Sequence, residues 1–188
     1  MIFPPRPIPL DAGKRYTRIP LPDCRGVTIQ LRGHNSDSFE LRIIGYHCAY
    51  ECDDVRDANR LRVFTRATFD GQAWTTIHPA LLTWEILELA DWLDAISVAA
   101  PNKPELSFLF PNLWLEVQSW SEESVRFRVY FEREHRPRWL ESSANPGEVW
   151  ADLECSPEEL NAWANDLREQ LDKFPPRGRA AVQRAFLR

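Results

Sequence analysis

The sequence predicts an α+β fold, an antiparallel sheet of about six to eight strands with two main helices packed on it. Three observations carry this expectation. Apolar and polar residues alternate with period two in several short segments, two longer segments repeat apolar residues at three- and four-residue intervals, and turn-length gaps separate most of the strands. Such gaps suit hairpins and are too short for parallel crossovers, so the order strands, helix, strands, helix favours antiparallel pairing.

Taken along the chain, residues 1–25 read as an extended arm, because six prolines within residues 1–23 deny a helix. One α+β domain is expected over residues 26–176, with a basic tail over 177–188. Val27, Ile29 and Leu31 alternate with polar neighbours as a first strand, and Phe39, Leu41 and Ile43 alternate with Glu40, Arg42 and Ile44 in a second. An acidic loop covers residues 50–59. Leu61, Val63, Thr65, Ala67 and Phe69 then share one face of a third strand. Asp70-Gly71 fits a two-residue hairpin turn, since glycine accepts the positive φ that such a turn demands. A short strand over residues 73–77 pairs back.

Thr83 is predicted to cap a helix whose Ile86, Leu89, Ala90, Leu93 and Ile96 form one apolar stripe, and Pro101 closes it off. Two strands are expected at residues 106–110 and 113–117, and a stronger one where Val125, Phe127, Val129 and Phe131 alternate with polar residues. Val149, Ala151 and Leu153 mark the last. Ser156-Pro157-Glu158-Glu159 is a capping box with proline at the first helical position, and Leu160, Trp163, Ala164, Leu167 and Leu171 supply the buried face of the second helix.

Composition and motifs exclude several function classes. A chain of 188 residues that is 44% hydrophobic can bury a core without staples. No export signal is evident at the N-terminus, so Cys24, Cys48, Cys52 and Cys155 are expected to be reduced structural thiols in a cytoplasmic protein. The densest apolar stretch, residues 84–100, is interrupted by Glu85, Glu88, Asp91 and Asp94 and falls short of the ~20 residues of a membrane span, so no membrane partner is expected. His47, Cys48 and Cys52 stand near Glu51, Asp53, Asp54 and Asp57, but zinc would need a second ligand pair and calcium a central glycine and a terminal glutamate. The expectation is therefore no metal and no cofactor. With neither a nucleophile elbow nor a phosphate-cradling loop, the chain is not expected to be an enzyme.

Charge is more informative. The net charge is −5, yet residues 1–32 hold six basic and two acidic side chains and residues 173–188 hold five basic and none acidic. Residues 33–172 are left with twelve basic against 26 acidic, a body of −14 between basic ends. Within residues 67–102 there is no Lys or Arg at all, so the acids of the first main helix have no cation of their own to pair with. Such a body repels nucleic acid and attracts basic proteins. The expected partner-binding residues are Glu85, Glu88, Asp91 and Trp92 on the acidic side of that helix, with Asp53, Asp54 and Asp57 in the acidic loop.

Several stretches in order resemble the WapI-type immunity proteins, bacterial antidotes to contact-dependent toxins. They are ELRIIGY at residues 40–46, Asn59-Arg60-Leu61, Trp74-Thr75, LLTWEILELADWL at 81–93, ELSFLFPNLWLEV at 105–117, VRFRVYFERE at 125–134 and LREQLDKFPPR at 167–177. The arm, the tail and Phe110 depart from the family pattern. The resemblance implies binding without catalysis, with a basic toxin domain, a nuclease, as the protein partner. The alternative reading is a small stand-alone structural or regulatory protein-binding domain, with the arm or tail as its handle.

Overall fold

In the computed structural model, which describes residues 29–33, 35–48, 53–140 and 147–178, the strands and helices follow the expected order. The proline-rich arm to residue 25, the start of the first predicted strand, Glu51, Cys24, Cys52 and the tail beyond residue 178 lie outside the described residues. Among the described residues eight strands pair antiparallel throughout and divide into two four-stranded sheets. The first sheet comprises β1 (Gln30–Arg32), β2 (Ser38–Tyr46), β3 (Arg60–Phe69) and β4 (Gln72–Leu82), in that order. The second comprises β5 (Glu105–Ser107), β6 (Leu113–Trp120), β7 (Val125–Phe131) and β8 (Trp150–Cys155), again in that order.

The β3–β4 hairpin follows from local chemistry. Asp70 and Gly71 both take positive φ, 50° and 73°, and close β3 onto β4 in the register Phe69 to Gln72. The expected acidic loop contains a short helix, α1 (Val55–Asn59), because the Asp54 carboxylate accepts the Arg56 and Asp57 amides and caps it.

The two main helices are α2 (Thr83–Val98) and α3 (Pro157–Asp172). The capping box at Ser156 forms as expected: the Ser156 hydroxyl accepts from Glu159 N at 3.2 Å and the Glu159 carboxylate accepts from Ser156 N at 2.8 Å. At α2 the cap differs from expectation. Leu82 holds the cap position, and Thr83 is already helical with its hydroxyl donating to Asn59 Oδ1. Buried Asn59 also accepts from Arg177 N at 2.7 Å and donates to Val55 and Arg177 carbonyls, tying α1, α2 and the chain after α3 at one point.

Both helices present the expected stripes, and these close one core with the inner faces of both sheets. Phe39 of β2 meets Phe131 of β7 at 5.7 Å and Trp163 of α3 at 5.9 Å, while Phe127 stacks on Trp163. Ser97 of α2 donates to Asn161 of α3, and Ile43 N of β2 donates to Gln170 of α3 at 2.8 Å. The two sheets adjoin at β1 and β8 without a ladder. There the Asp152 amide donates to Asp37 Oδ2 at 3.1 Å, and Gly33 lies so close to the Asp152 carbonyl that a Cβ would fall 1.7 Å from it. After β7 the chain crosses to the first sheet, where fully buried His135 accepts or shares hydrogen bonds at Nδ1 with Thr65 and Thr76, and its carbonyl accepts from Trp74 Nε1 at 2.9 Å.

Candidate partner-binding surface

The outer side of the helix layer collects the acidic residues. Helix α2 carries four carboxylates and no cation, and α3 carries five carboxylates and Arg168. The apolar stripes fix which of these face out: with Ile86, Leu89, Leu93, Leu160, Trp163 and Leu167 in the core, Glu88, Asp91, Glu169 and Asp172 are left exposed.

Glu85 does not belong to that exposed set. It is 4% exposed, against the expectation that it joins an open acidic face. One carboxylate oxygen accepts from Leu82 N at 2.8 Å, the reciprocal half of a capping box, and the other accepts from Leu109 N at 2.6 Å. Burial pushes its carboxyl above the ordinary range, the two amides oppose this, and the charge of Glu88 adds to it. Glu85 thus fastens the start of α2 to the β5–β6 connection.

Trp92 is half-buried on the rim. Its ring meets Phe127 edge to face at 6.3 Å and its Nε1 points at the Lys103 carbonyl at 3.4 Å, so one side packs on the core and the other remains in solvent. The acids of α2 are also less isolated than their own helix suggests. Arg168 of α3 donates to Asp91 at 2.8 Å and to Asp94 at 2.6 Å, and these bonds hold its guanidinium more firmly protonated. The missing cation comes from the neighbouring helix and not from α2 itself.

Asp53 and Asp57 are exposed, while Asp54 spends its carboxylate on the α1 cap. Among the described residues the α1 carboxylates share no ion-pair or hydrogen-bond partner with those of α2 and α3. Glu88 and Asp91 are thus exposed on α2 beside half-buried Trp92, Glu169 and Asp172 are exposed on α3, and Glu85 is buried. The α3 acids were legible in residues 157–172, where acids outnumber cations five to one.

The second sheet offers different chemistry. Its outer face carries a Trp114–Tyr130 stack at 3.6 Å, and Trp150 continues the row, with Arg128 over its ring at 4.7 Å. Two clefts of about 310 Å³ each flank this row, one lined by Gln118, Arg126 and Asp152, the other by Trp114, Glu132 and Arg136. Among the described residues no group of three His, Cys, Asp or Glu side chains gathers as metal ligands would. Among the described residues Cys48 and Cys155 are free, and burial pushes the Cys155 thiol up to about 12, so it stays protonated. No described helix is long and apolar enough to cross a membrane.

No curated protein matches the chain. A family model described as the immunity protein WapI-like family matches residues 30–175, a span that includes both sheets and both main helices.

Proposed function

The chain belongs to the immunity protein WapI-like family, which implies a protein toxin as partner and is generally non-catalytic, and on that premise we propose that it neutralises a basic toxin domain by binding it through the outer side of the helix layer. The observation that carries this reading is the charge of that layer: nine carboxylates against one arginine over α2 and α3, with Glu88, Asp91, Glu169 and Asp172 facing solvent. A basic nuclease surface is the complement of such a field. Trp92, anchored on Phe127 and open on its other side, supplies the aromatic contact that commonly dominates binding energy.

The test is co-purification from the native cell followed by kinetics with the captured toxin domain. Reversing Glu88 and Glu169 to Lys should slow association at least tenfold at low salt, and the difference should vanish near 1 M salt, where the Debye length is only ~3 Å. Trp92→Ala should instead raise the off-rate. An association rate indifferent to salt and to both reversals overturns the acidic-surface reading. Failure of any toxin to co-purify overturns the neutralising role itself.

A further inference from the structure

The outer face of the first sheet is basic. Arg32, Arg42, Arg60, Arg62 and Arg66 stand on β1, β2 and β3 against a single acid, Glu40, and β4 contributes no charge of either sign. Period-two alternation puts them there, since Leu31, Leu41, Leu61, Val63 and Ala67 occupy the inward positions between them. Arg42 takes Glu40 at 2.9 Å. Among the described residues Arg32, Arg62 and Arg66 have no carboxylate partner, and Arg32 and Arg66 are exposed.

At the middle of this face lies an apolar spot. Phe64 pairs across strands with Ile77, which is 37% exposed, and Arg42 lies over the Phe64 ring at 4.3 Å. An apolar centre ringed by arginines has the residue types of a protein interface. No described element covers it.

The complement of this face exists on the same chain but cannot reach it. The inner residues of the first sheet and the stripes of α2 and α3 share one core, so the outward positions of the sheet and the outward positions of the helices both face away from that core. Glu88, Glu169 and Asp172 have no cation partner among the described residues. One copy leaves both faces open, and each head-to-tail contact with another copy covers one face of each kind.

We propose that the arginine face of the first sheet docks a second copy of this chain through that copy's acidic helix layer, a head-to-tail contact of opposite charge. Because the two faces differ, the contact is heterologous and propagates into short stacks or rings instead of closing as a two-fold dimer. It is steered by charge, so it strengthens as the Debye length grows from ~3 Å at 1 M salt to ~30 Å at 0.01 M.

Sedimentation velocity of the full chain alone tests this, independently of any toxin. The average mass should rise with concentration at low salt and fall to the 21.9 kDa monomer in high salt. Arg32→Glu with Arg66→Glu should abolish the rise, and so should Glu88→Lys with Glu169→Lys. Mixing the two double variants should restore association at least tenfold above either alone, because each retains the face the other has lost. If either reversal unfolds the chain, the Arg32→Ala, Arg66→Ala and Glu88→Gln, Glu169→Gln pairs serve instead and should each weaken association several-fold. A wild-type chain that stays monomeric at low salt overturns the proposal, as does a mixture that stays monomeric. Retention of a labelled single-stranded oligonucleotide by a monomeric chain, lost in the arginine variant, overturns it in favour of a polyanion face.

Discussion

The two sheets share strand number, antiparallel pairing and an apolar inner face, yet they treat charge on their outer faces in opposite ways. In the second sheet the register sets each β7 arginine opposite a β8 acid: Arg126 faces Glu154 and bonds it at 3.1 Å, and Arg128 faces Asp152 and bonds it at 2.7 Å. Tyr130 donates to Glu116 across the other side of β7. In the first sheet Arg42 faces Phe64, Arg62 faces Pro79 and Gly45, and Arg66 faces Thr75 and Glu40, whose carboxylate is already engaged by Arg42. Register alone decides whether a sheet closes its charges on itself or leaves them for another molecule. A face that satisfies itself is scaffold, and a face that does not is available for recognition.

That contrast is confined to the outer faces, and the largest expected effects test this confinement. Phe39→Ala and Phe127→Ala, one from each inner face, should each cost about 3–5 kcal/mol in urea denaturation, since both rings are buried in the same core. A much smaller loss at either would mean that the inner faces differ too.

The first sheet also holds a titratable group on its inner side. Burial lowers the pKa of His135 to about 4, and its Nε2 has no hydrogen-bond partner among the described residues. The unfolded chain takes up a proton near pH 6.5, while the folded chain refuses it until about pH 4. Stability is therefore full above pH 6.5, falls as the pH drops towards 4 by up to about 3 kcal/mol, and loses nothing further from this group below that. Denaturation curves at intervals across this range should show the loss, and His135→Gln should flatten it. An unchanged slope in the variant would remove His135 as its source.

Smaller effects separate engaged from open charge. Glu85→Ala leaves the Leu82 and Leu109 amides without an acceptor and should cost about 1–3 kcal/mol, whereas Glu88→Ala, three residues on and exposed, should stay within about 0.5 kcal/mol. Arg128→Ala, which loses both the Asp152 bond and the Trp150 ring contact, should cost about 1 kcal/mol, and Arg66→Ala should cost less than half of that. Equal losses at Arg128 and Arg66 would erase the distinction between the two faces.

Much of this was legible in the sequence because it is local. The period-two runs beginning at Phe39, Leu61 and Val125, the Asp70-Gly71 turn and the Ser156 box each depend on residues within a few positions of one another, and each formed as read, whereas the strand expected over 73–77 runs on to Leu82 and the one expected over 106–110 ends at Ser107. What was not legible depends on distant segments. Nothing near Glu85 announces that Leu109 will bring an amide to it, and nothing in α2 announces Arg168. The division into two sheets is set by where β1 and β8 meet, not by the pattern within either. The arginine face was hidden for a different reason: averaging charge over residues 33–172 merged a basic sheet with an acidic helix layer, although the alternation of Arg62, Phe64 and Arg66 already assigned them to one side.

The seam between β1 and β8 bears on aggregation. A sheet edge exposes unpaired amides and carbonyls that can template another strand, and two separate sheets have four such edges. Two of these face each other across Gly33 and Asp152 and so shield one another. Of the remaining pair, β5 is only three residues long, and β4 carries Pro79, which has no amide to offer, and contacts the turn at Arg133–His135. A side chain at Gly33 would wedge the seam and uncover two edges at once. Gly33→Val should therefore show itself first as insoluble, strand-rich precipitate on expression, before any measurement of binding could be made.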